Sequence, residues 1–387
     1  MRQLQCLLLA LGLLMAAPLA AEIPIIAYQG VPAKFATAER FREFREAGFD
    51  VSYHNYNSLT VSQVVQALDQ AQQAGVRLII HCDKVYANPR SAFPRLKGHP
   101  ALFAYFLEDE PRPKHYNEVV GHLQTIRRYD KQTNIYLNLL PDYGPKSRSS
   151  LGITSYPDYL RQYAALDIPQ ISFDHYPVTK DGLREQWYSN LEAVRQESLR
   201  TGKPLWGFVL STPHNVYPQP TLATLRLQCY VNLAYGAQAI QYFTYWTPEG
   251  KEYYNGAIDR DGKRTATYHV VKLMNAELRP LLPLFDGAEV TGIGHLQKIP
   301  QGANRLKKLP SGIKKLKVTG SEGALVSTLK KDGHQYIAVV NKDYQHPMTL
   351  TLRTASQVVQ VTKSLQQSPA KEAYTLPAGD ILIFKLK

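Results

Sequence analysis

Three carboxylates stand in a row at Glu108, Asp109 and Glu110, directly after the apolar run "FAYFL" and directly before Pro111. Like charges crowded together repel one another and raise each other's pKa, which gains nothing for folding. It does suit one kind of chemistry. A carboxylic acid still protonated near neutral pH can hand its proton to a leaving oxygen, and a neighbouring carboxylate is one way to hold it protonated. Asp174, in the string "SFDHYP", supplies a further carboxylate, and Glu249 follows in "TPEGKEYYNG".

Such groups act only if secondary structure brings them together. Short runs rich in Ile, Val, Phe and Tyr recur at 23–30, 49–55, 76–82, 101–108, 133–140, 169–177, 204–211 and 239–246. Stretches of helical period separate them. In "TVSQVVQALDQAQQAG" the spacing puts Val61, Val64, Val65 and Leu68 on one face, and Gly75 ends the helix. Eight strand-plus-helix units predict an α/β fold, a closed (β/α)8 TIM barrel, over residues 22–285. "AYQGVPA" after the first strand is not a glycine-rich phosphate loop, so no nicotinamide or flavin, and no other organic cofactor, is expected.

Residues 286–387 have a different texture. "ALVSTLKKDGHQYIAVVNKD" is two alternating runs joined at Asp332-Gly333, a hairpin signal, and "MTLTLR", "QVVQVTK" and "DILIFKLK" follow. A small C-terminal antiparallel β-sandwich is expected, packed on one side of the barrel.

In a barrel of this kind the working site lies at the carboxyl ends of the strands. Glu108 to Glu110 fall at the end of the fourth. Tyr28 ends the first strand, Tyr53 and His54 the second, and His81 and Asp83 flank the end of the third. Asn138 closes the fifth, Asp174, His175 and Tyr176 the sixth, and Tyr245 and Trp246 the eighth, while Trp206 lies in the seventh. Carboxylates among amides, imidazoles and aromatic faces suit a neutral polyhydroxylated ligand, whose rings stack and whose hydroxyls bind polar edges.

Composition narrows the setting. The chain has 387 residues, 44% of them hydrophobic, enough for a sizeable core. Residues 1–21, with Arg2, a leucine-rich stretch and small residues at Ala20 and Ala21, read as a secretory signal peptide, so a secreted or periplasmic location is expected. No later stretch is long and apolar enough to cross a membrane. Removing the leader leaves Cys82 and Cys229, expected as buried free thiols. The formal net charge of +13 includes the run "RLKKLPSGIKKLK" at 305–317. That excess makes an anionic or cell-envelope polysaccharide a reasonable partner; nucleic acid is not expected, because the run has no interleaved aromatics.

The string "YFLEDEP" resembles the strand-four signature of barrel glycoside hydrolases. Clan A enzymes carry Asn-Glu-Pro there, and substrate-assisted hexosaminidases an adjacent Asp-Glu pair; here the tripeptide is Asp109-Glu110-Pro111. The resemblance implies a glycoside hydrolase with Glu110 as the acid/base. This sequence departs from clan A at strand seven. Where those enzymes place a nucleophilic Glu, "VLSTPHN" offers only Ser211, Thr212, His214 and Asn215. The partner carboxylate is then Asp109, stabilising a substrate's own 2-acetamido group, or Asp174 as base or nucleophile, with Glu249 ranked below both. Two other classes remain open. A metal-dependent hydrolase would use His54, His81, Asp83 and Asp174, although no HxH pair stands on strand one. A non-catalytic saccharide-binding barrel would explain the missing strand-seven carboxylate.

Overall fold

The computed structural model describes residues 23–355 and 358–386, so the expected leader lies outside the described residues. Eight parallel strands close a barrel: β1 Ile25–Tyr28, β2 Val51–Asn55, β3 Arg77–His81, β4 Leu102–Asp109, β5 Asn134–Leu139, β6 Ile171–Phe173, β7 Leu205–Leu210 and β8 Ala237–Phe243. Neighbours follow chain order, and β8 returns to pair with β1, Ile25 opposite Ile240. The expected strands are present but shorter, β6 ending at Phe173 and β8 at Phe243.

Side chains alternate across the barrel wall. Ile26, Tyr28, Val51, Tyr53, Ile79, Phe103, Phe106, Tyr136, Trp206, Phe208 and Ala239 fill the interior. Ile25, Leu78, Ile80, Tyr105, Ile135 and Tyr242 point outward into the helix layer. The helix Val61–Gln73 buries Val64, Ala67, Leu68 and Ala71, and Thr60 closes it with a full capping box on Gln63, a contact worth about 1 kcal/mol. Helix Leu222–Ala234 lies closest to the wall because β7 carries Gly207: a Cβ there would meet Asn232 Oδ1 at 2.2 Å. Asn232 instead donates from Nδ2 to the Phe208 carbonyl at 3.0 Å.

Beyond helix Leu282–Phe285, nine strands form two antiparallel sheets: β9 Glu289–Gln297, β10 Ile313–Thr319, β11 Gly323–Lys331, β12 His334–Asn341, β13 Met348–Thr354, β14 Val358–Val361, β15 Gln367–Pro369, β16 Ala373–Leu376 and β17 Ile381–Leu386. Their orders are β9-β11-β12-β17-β14-β15 and β10-β13-β16. The expected hairpin joins β11 to β12, with Asp332 at φ 50 and Gly333 at φ 75. The six-stranded sheet is buried on both faces. Val326, Ile337 and Val339 face the three-stranded sheet, whereas Leu325, Leu329, Ala338 and Val340 join the core around the barrel helices. Helix Leu222–Ala234, held between barrel and sheet, is consequently buried almost all round. Cys82 and Cys229 are free and buried. Among the described residues no helix is long and apolar enough to cross a membrane.

Candidate active site

A one-residue irregularity decides which carboxylate enters the barrel mouth. β4 pairs with β5 as Phe106 with Tyr136, then skips to Glu108 with Leu137 and Asp109 with Asn138. Leu107 is the extra residue of a β-bulge, and it reverses the side-chain alternation beyond it. Phe106 and Tyr136 point inward; after the skip, so do Asp109 and its partner Asn138, and Glu108 is turned away. Glu110 follows with φ 50, a left-handed backbone uncommon for a residue with a side chain. Its N–H donates to the Asn138 carbonyl at 2.9 Å. The turn swings the Glu110 side chain back to the mouth that Asp109 faces, although adjacent strand residues would point oppositely.

Three carboxyls therefore meet at the ends of β4 and β6. Asp109 accepts from Tyr28 Oη at 2.7 Å and from Asn138 Nδ2 at 3.1 Å. The same Asn138 Nδ2 donates to Asp174 at 2.8 Å. Ser172 Oγ donates to Asn138 Oδ1 at 2.9 Å and accepts from Gln241 Nε2 at 2.8 Å. This chain of donors fixes the amide with its NH2 toward both acids. Asp174 lies near enough to Tyr176 and Glu110 for both to ease its ionisation.

No Lys or Arg pairs with Asp109, Glu110 or Asp174 among the described residues, so burial dominates their ionisation. Burial, then the charges of Asp174 and Asp109, pushes Glu110 far above the usual carboxylate range. Burial, then Asp109, raises Asp174, partly offset by Asn138, Glu110 and Tyr176. Asp109 is raised chiefly by burial as well. The cluster thus holds protons at neutral pH, and Glu110 is the member held most firmly neutral. Helix Tyr116–Tyr129 begins past His115 and receives no cap from residues 108–110.

The remaining residues singled out in the sequence fall into two groups. Tyr28 and Tyr53 meet at a tilt of 47°, ring centres 4.4 Å apart, beside the carboxyls, His81 lies flat on Phe106 at 4.8 Å with Asp83 beside it at 3.4 Å, and Tyr176 closes the β6 side. His175 is buried, its ring 4.5 Å from that of Tyr143. The others stand elsewhere. Trp206 packs on Phe103 and Tyr136 deep in the barrel interior. His54 turns out of the barrel, its Nδ1 against the Asn55 carbonyl. Because β8 stops at Phe243, Tyr245 does not continue the inward alternation and packs among Phe44, Phe49 and Tyr268 in the helix layer. Trp246 stacks on Phe35 at 4.7 Å. Ser211 and Thr212, at the end of β7, are tied to the Thr244 carbonyl. Glu249, 92% exposed, pairs with Arg260.

Sequence reasoning missed Phe243, whose half-buried ring is ringed by Tyr28, Tyr176, His214 and Tyr253. Strict alternation with Gln241 within β8 would have found it. It also missed Ser172 and the loop residues Tyr143, Arg184 and Tyr217, for which no local signal exists. Among the described residues no group of three or more His, Cys, Asp or Glu could hold a metal ion.

A family model described as β-galactosidase, of glycosyl hydrolase family 42, matches residues 98–281, the span holding β4 to β8 and the three carboxyls. A family 42 β-galactosidase from G. stearothermophilus, solved as a catalytic mutant, superposes with TM-score 0.64 at 9% identity over 95% of this chain and 98% of that one. The β-galactosidase from Bacillus circulans sp. alkalophilus gives TM-score 0.61 at 11% identity over 95% and 99%. The chain spans 59% of the length of the β-galactosidase from Marinomonas ef1. No curated protein matches it in sequence.

Proposed function

We propose that this (β/α)8-barrel chain, matched over residues 98–281 by the family 42 model, is a glycoside hydrolase that cleaves glycosidic bonds of an oligo- or polysaccharide with Glu110 as the general acid. The observation carrying this reading is the gathering of Asp109, Glu110 and Asp174 at the barrel mouth with no Lys or Arg paired to them among the described residues, where burial and the two neighbouring charges raise the Glu110 pKa. An acid in that state can protonate the glycosidic oxygen at neutral pH.

The roles divide by surroundings. After burial itself, Asp174 is the carboxylate whose charge acts most strongly on Glu110. Asp174 is thus the partner that holds the proton on Glu110. Asp109, half-buried and held by Tyr28 and Asn138, is left to activate water or to steady a 2-acetamido group of the substrate. Tyr28, Tyr53, His81, Tyr176 and Phe243 supply the faces and edges for the sugar. The leader-like residues 1–21 support export, and the net charge of +13 supports an anionic or envelope-associated polysaccharide.

Hydrolysis of a panel of aryl glycosides, galactosides and 2-acetamido sugars included, by wild type and Glu110→Gln tests the assignment. Turnover that falls about 100-fold or more in the variant is expected; equal turnover by both proteins removes Glu110 from the chemistry. A saccharide-binding barrel without turnover is the second reading, favoured by the end of β7, where Ser211 and Thr212 stand with no carboxylate. It predicts that Glu110→Gln binds saccharide as wild type does and that neither hydrolyses it.

A further inference from the structure

We propose that Arg184 is a specificity-determining residue of this site that reads a carboxylate on the sugar, so that the preferred substrates contain uronic acid. The proposal rests on the glycoside hydrolase reading of the carboxyl cluster and names its substrate class.

Arg184 is carried back to the barrel mouth by a small hairpin after β6, Val178–Thr179 paired with Gly182–Leu183. Gly182 at φ 116 makes the turn, Thr179 Oγ1 closes it on the Gly182 carbonyl, and the Arg184 N–H donates to the Pro177 carbonyl at 2.8 Å. The guanidinium lies between two rings, 5.0 Å from Tyr143 and 5.1 Å from Tyr217. Its Nη1 donates to Tyr217 Oη at 2.6 Å. The backbone, two aromatic faces and one hydrogen bond therefore hold the side chain in place.

No carboxylate pairs with it among the described residues. The part-buried Arg40, Arg148 and Arg226 each have one, in Glu43, Asp142 and Glu277 respectively. A guanidinium has five N–H donors in a rigid fork, and among the described residues only Nη1 is engaged, leaving Nε and Nη2 for a planar, singly charged group. An Arg held rigid yet unpaired, next to acids that already keep protons, is arranged for an anion that arrives from outside.

Its position relative to the acids fits a substituent on the sugar being cleaved or its neighbour. The Tyr143 ring lies against His175 at 4.5 Å, and the Tyr217 ring lies 5.8 Å from that of Tyr176, two residues beyond Asp174. One aromatic ring thus separates the guanidinium from residues 174–176. His175, 1% exposed, has neither ring nitrogen bonded, and burial together with the Arg184 charge keeps it neutral. It adds a neutral polar edge beside the cationic one.

The test is titration calorimetry at low salt with D-glucuronate, D-galacturonate, D-glucose, D-galactose and D-galactose 6-sulfate, using the full chain as wild type, Arg184→Met and Arg184→Lys. One or both uronates should bind wild type at least about tenfold tighter than the matching neutral sugar. That ratio should collapse in Arg184→Met and survive in part in Arg184→Lys, which keeps the charge and guards against a folding artefact. No uronate binding, equal affinity for acid and neutral sugars, a ratio unchanged in Arg184→Met, or tighter binding of the sulfate than of either uronate overturns the proposal. The ratio of kcat/KM for an aryl glucuronide against the aryl glucoside should change in parallel. If wild type hydrolyses no glycoside, the catalytic reading fails while the titration still decides the role of Arg184.

Discussion

Replacing Asp174 with Asn removes one charge with little change of shape, and it isolates the effect that the cluster is built around. Asn138 keeps an acceptor at position 174, so the amide bridge of 2.8 Å to that side can persist. Glu110 loses the largest charge acting on it after burial itself. Two unit charges about 4 Å apart at an effective dielectric constant of about 20 repel by about 4 kcal/mol, which corresponds to about three pH units. Reorganisation of Asn138 and Tyr176 around the remaining charge absorbs part of this, so a displacement of about one to three pH units is expected. The sign follows from the role. Glu110 must be protonated to act, activity is lost as pH rises through its pKa, and a lower pKa moves that loss to lower pH. The assay is kcat/KM from about pH 4 to about pH 10 on a good aryl glycoside, with Glu108→Gln as the comparison because Glu108 faces away from the mouth. A basic limb unmoved in Asp174→Asn, or moved equally in Glu108→Gln, refutes the reasoning.

The raised pKa values also bear on stability. Asp109, Glu110 and Asp174 bind protons more tightly folded than unfolded, so they weaken the fold progressively as pH climbs from the ordinary carboxyl pKa, near 4, through their raised values. Glu110→Gln should therefore raise the thermal midpoint at about pH 8, by about 1–3 kcal/mol of stability, and raise it far less at about pH 4, which differential scanning at the two pH values checks. Ser172→Ala frees the Asn138 amide to turn: a loss of about 1 kcal/mol in stability is expected, with kcat down roughly tenfold and KM changed much less. Steady-state kinetics beside a denaturant titration would show it, and a KM effect alone would contradict the positioning role.

The barrel and sandwich were legible because their signals are local and repeated. Strand runs, the capped helix at Val61–Gln73 and the Asp332-Gly333 turn each announce themselves within a few residues, and the structure keeps all of them. The strand-end rule likewise brought Tyr28, Asp109, Glu110, Asn138, Asp174 and Tyr176 to one mouth. It failed where a strand stopped early. Extending β8 to residue 246 predicts Tyr245 and Trp246 inside, whereas the chain leaves the wall after Phe243 and both pack elsewhere. Trp206 was misread for another reason: a residue near the start of a strand faces the barrel floor, and type alone does not tell floor from mouth. Arg184 and Tyr143 reach the site from separate loops, a proximity that depends on tertiary contacts far apart in sequence.

The bulge at Leu107 means that strand pairing, and not residue type, selects which acid of β4 enters the mouth. Three consecutive carboxylates give a chain of this kind a spare on either side. Regular pairing without the bulge, Leu107 with Leu137, would bring Glu108 opposite Asn138 into the mouth and send Asp109 out, with the motif unchanged. Descendants of such a chain could therefore exchange catalytic partners by a one-residue shift of pairing rather than by substitution. Aligning their motifs column by column would assign the same letter to opposite faces of the wall. Comparison of relatives is safer by the pairing of each residue with β5, where the position opposite Asn138 marks the inward acid whatever its place in the string.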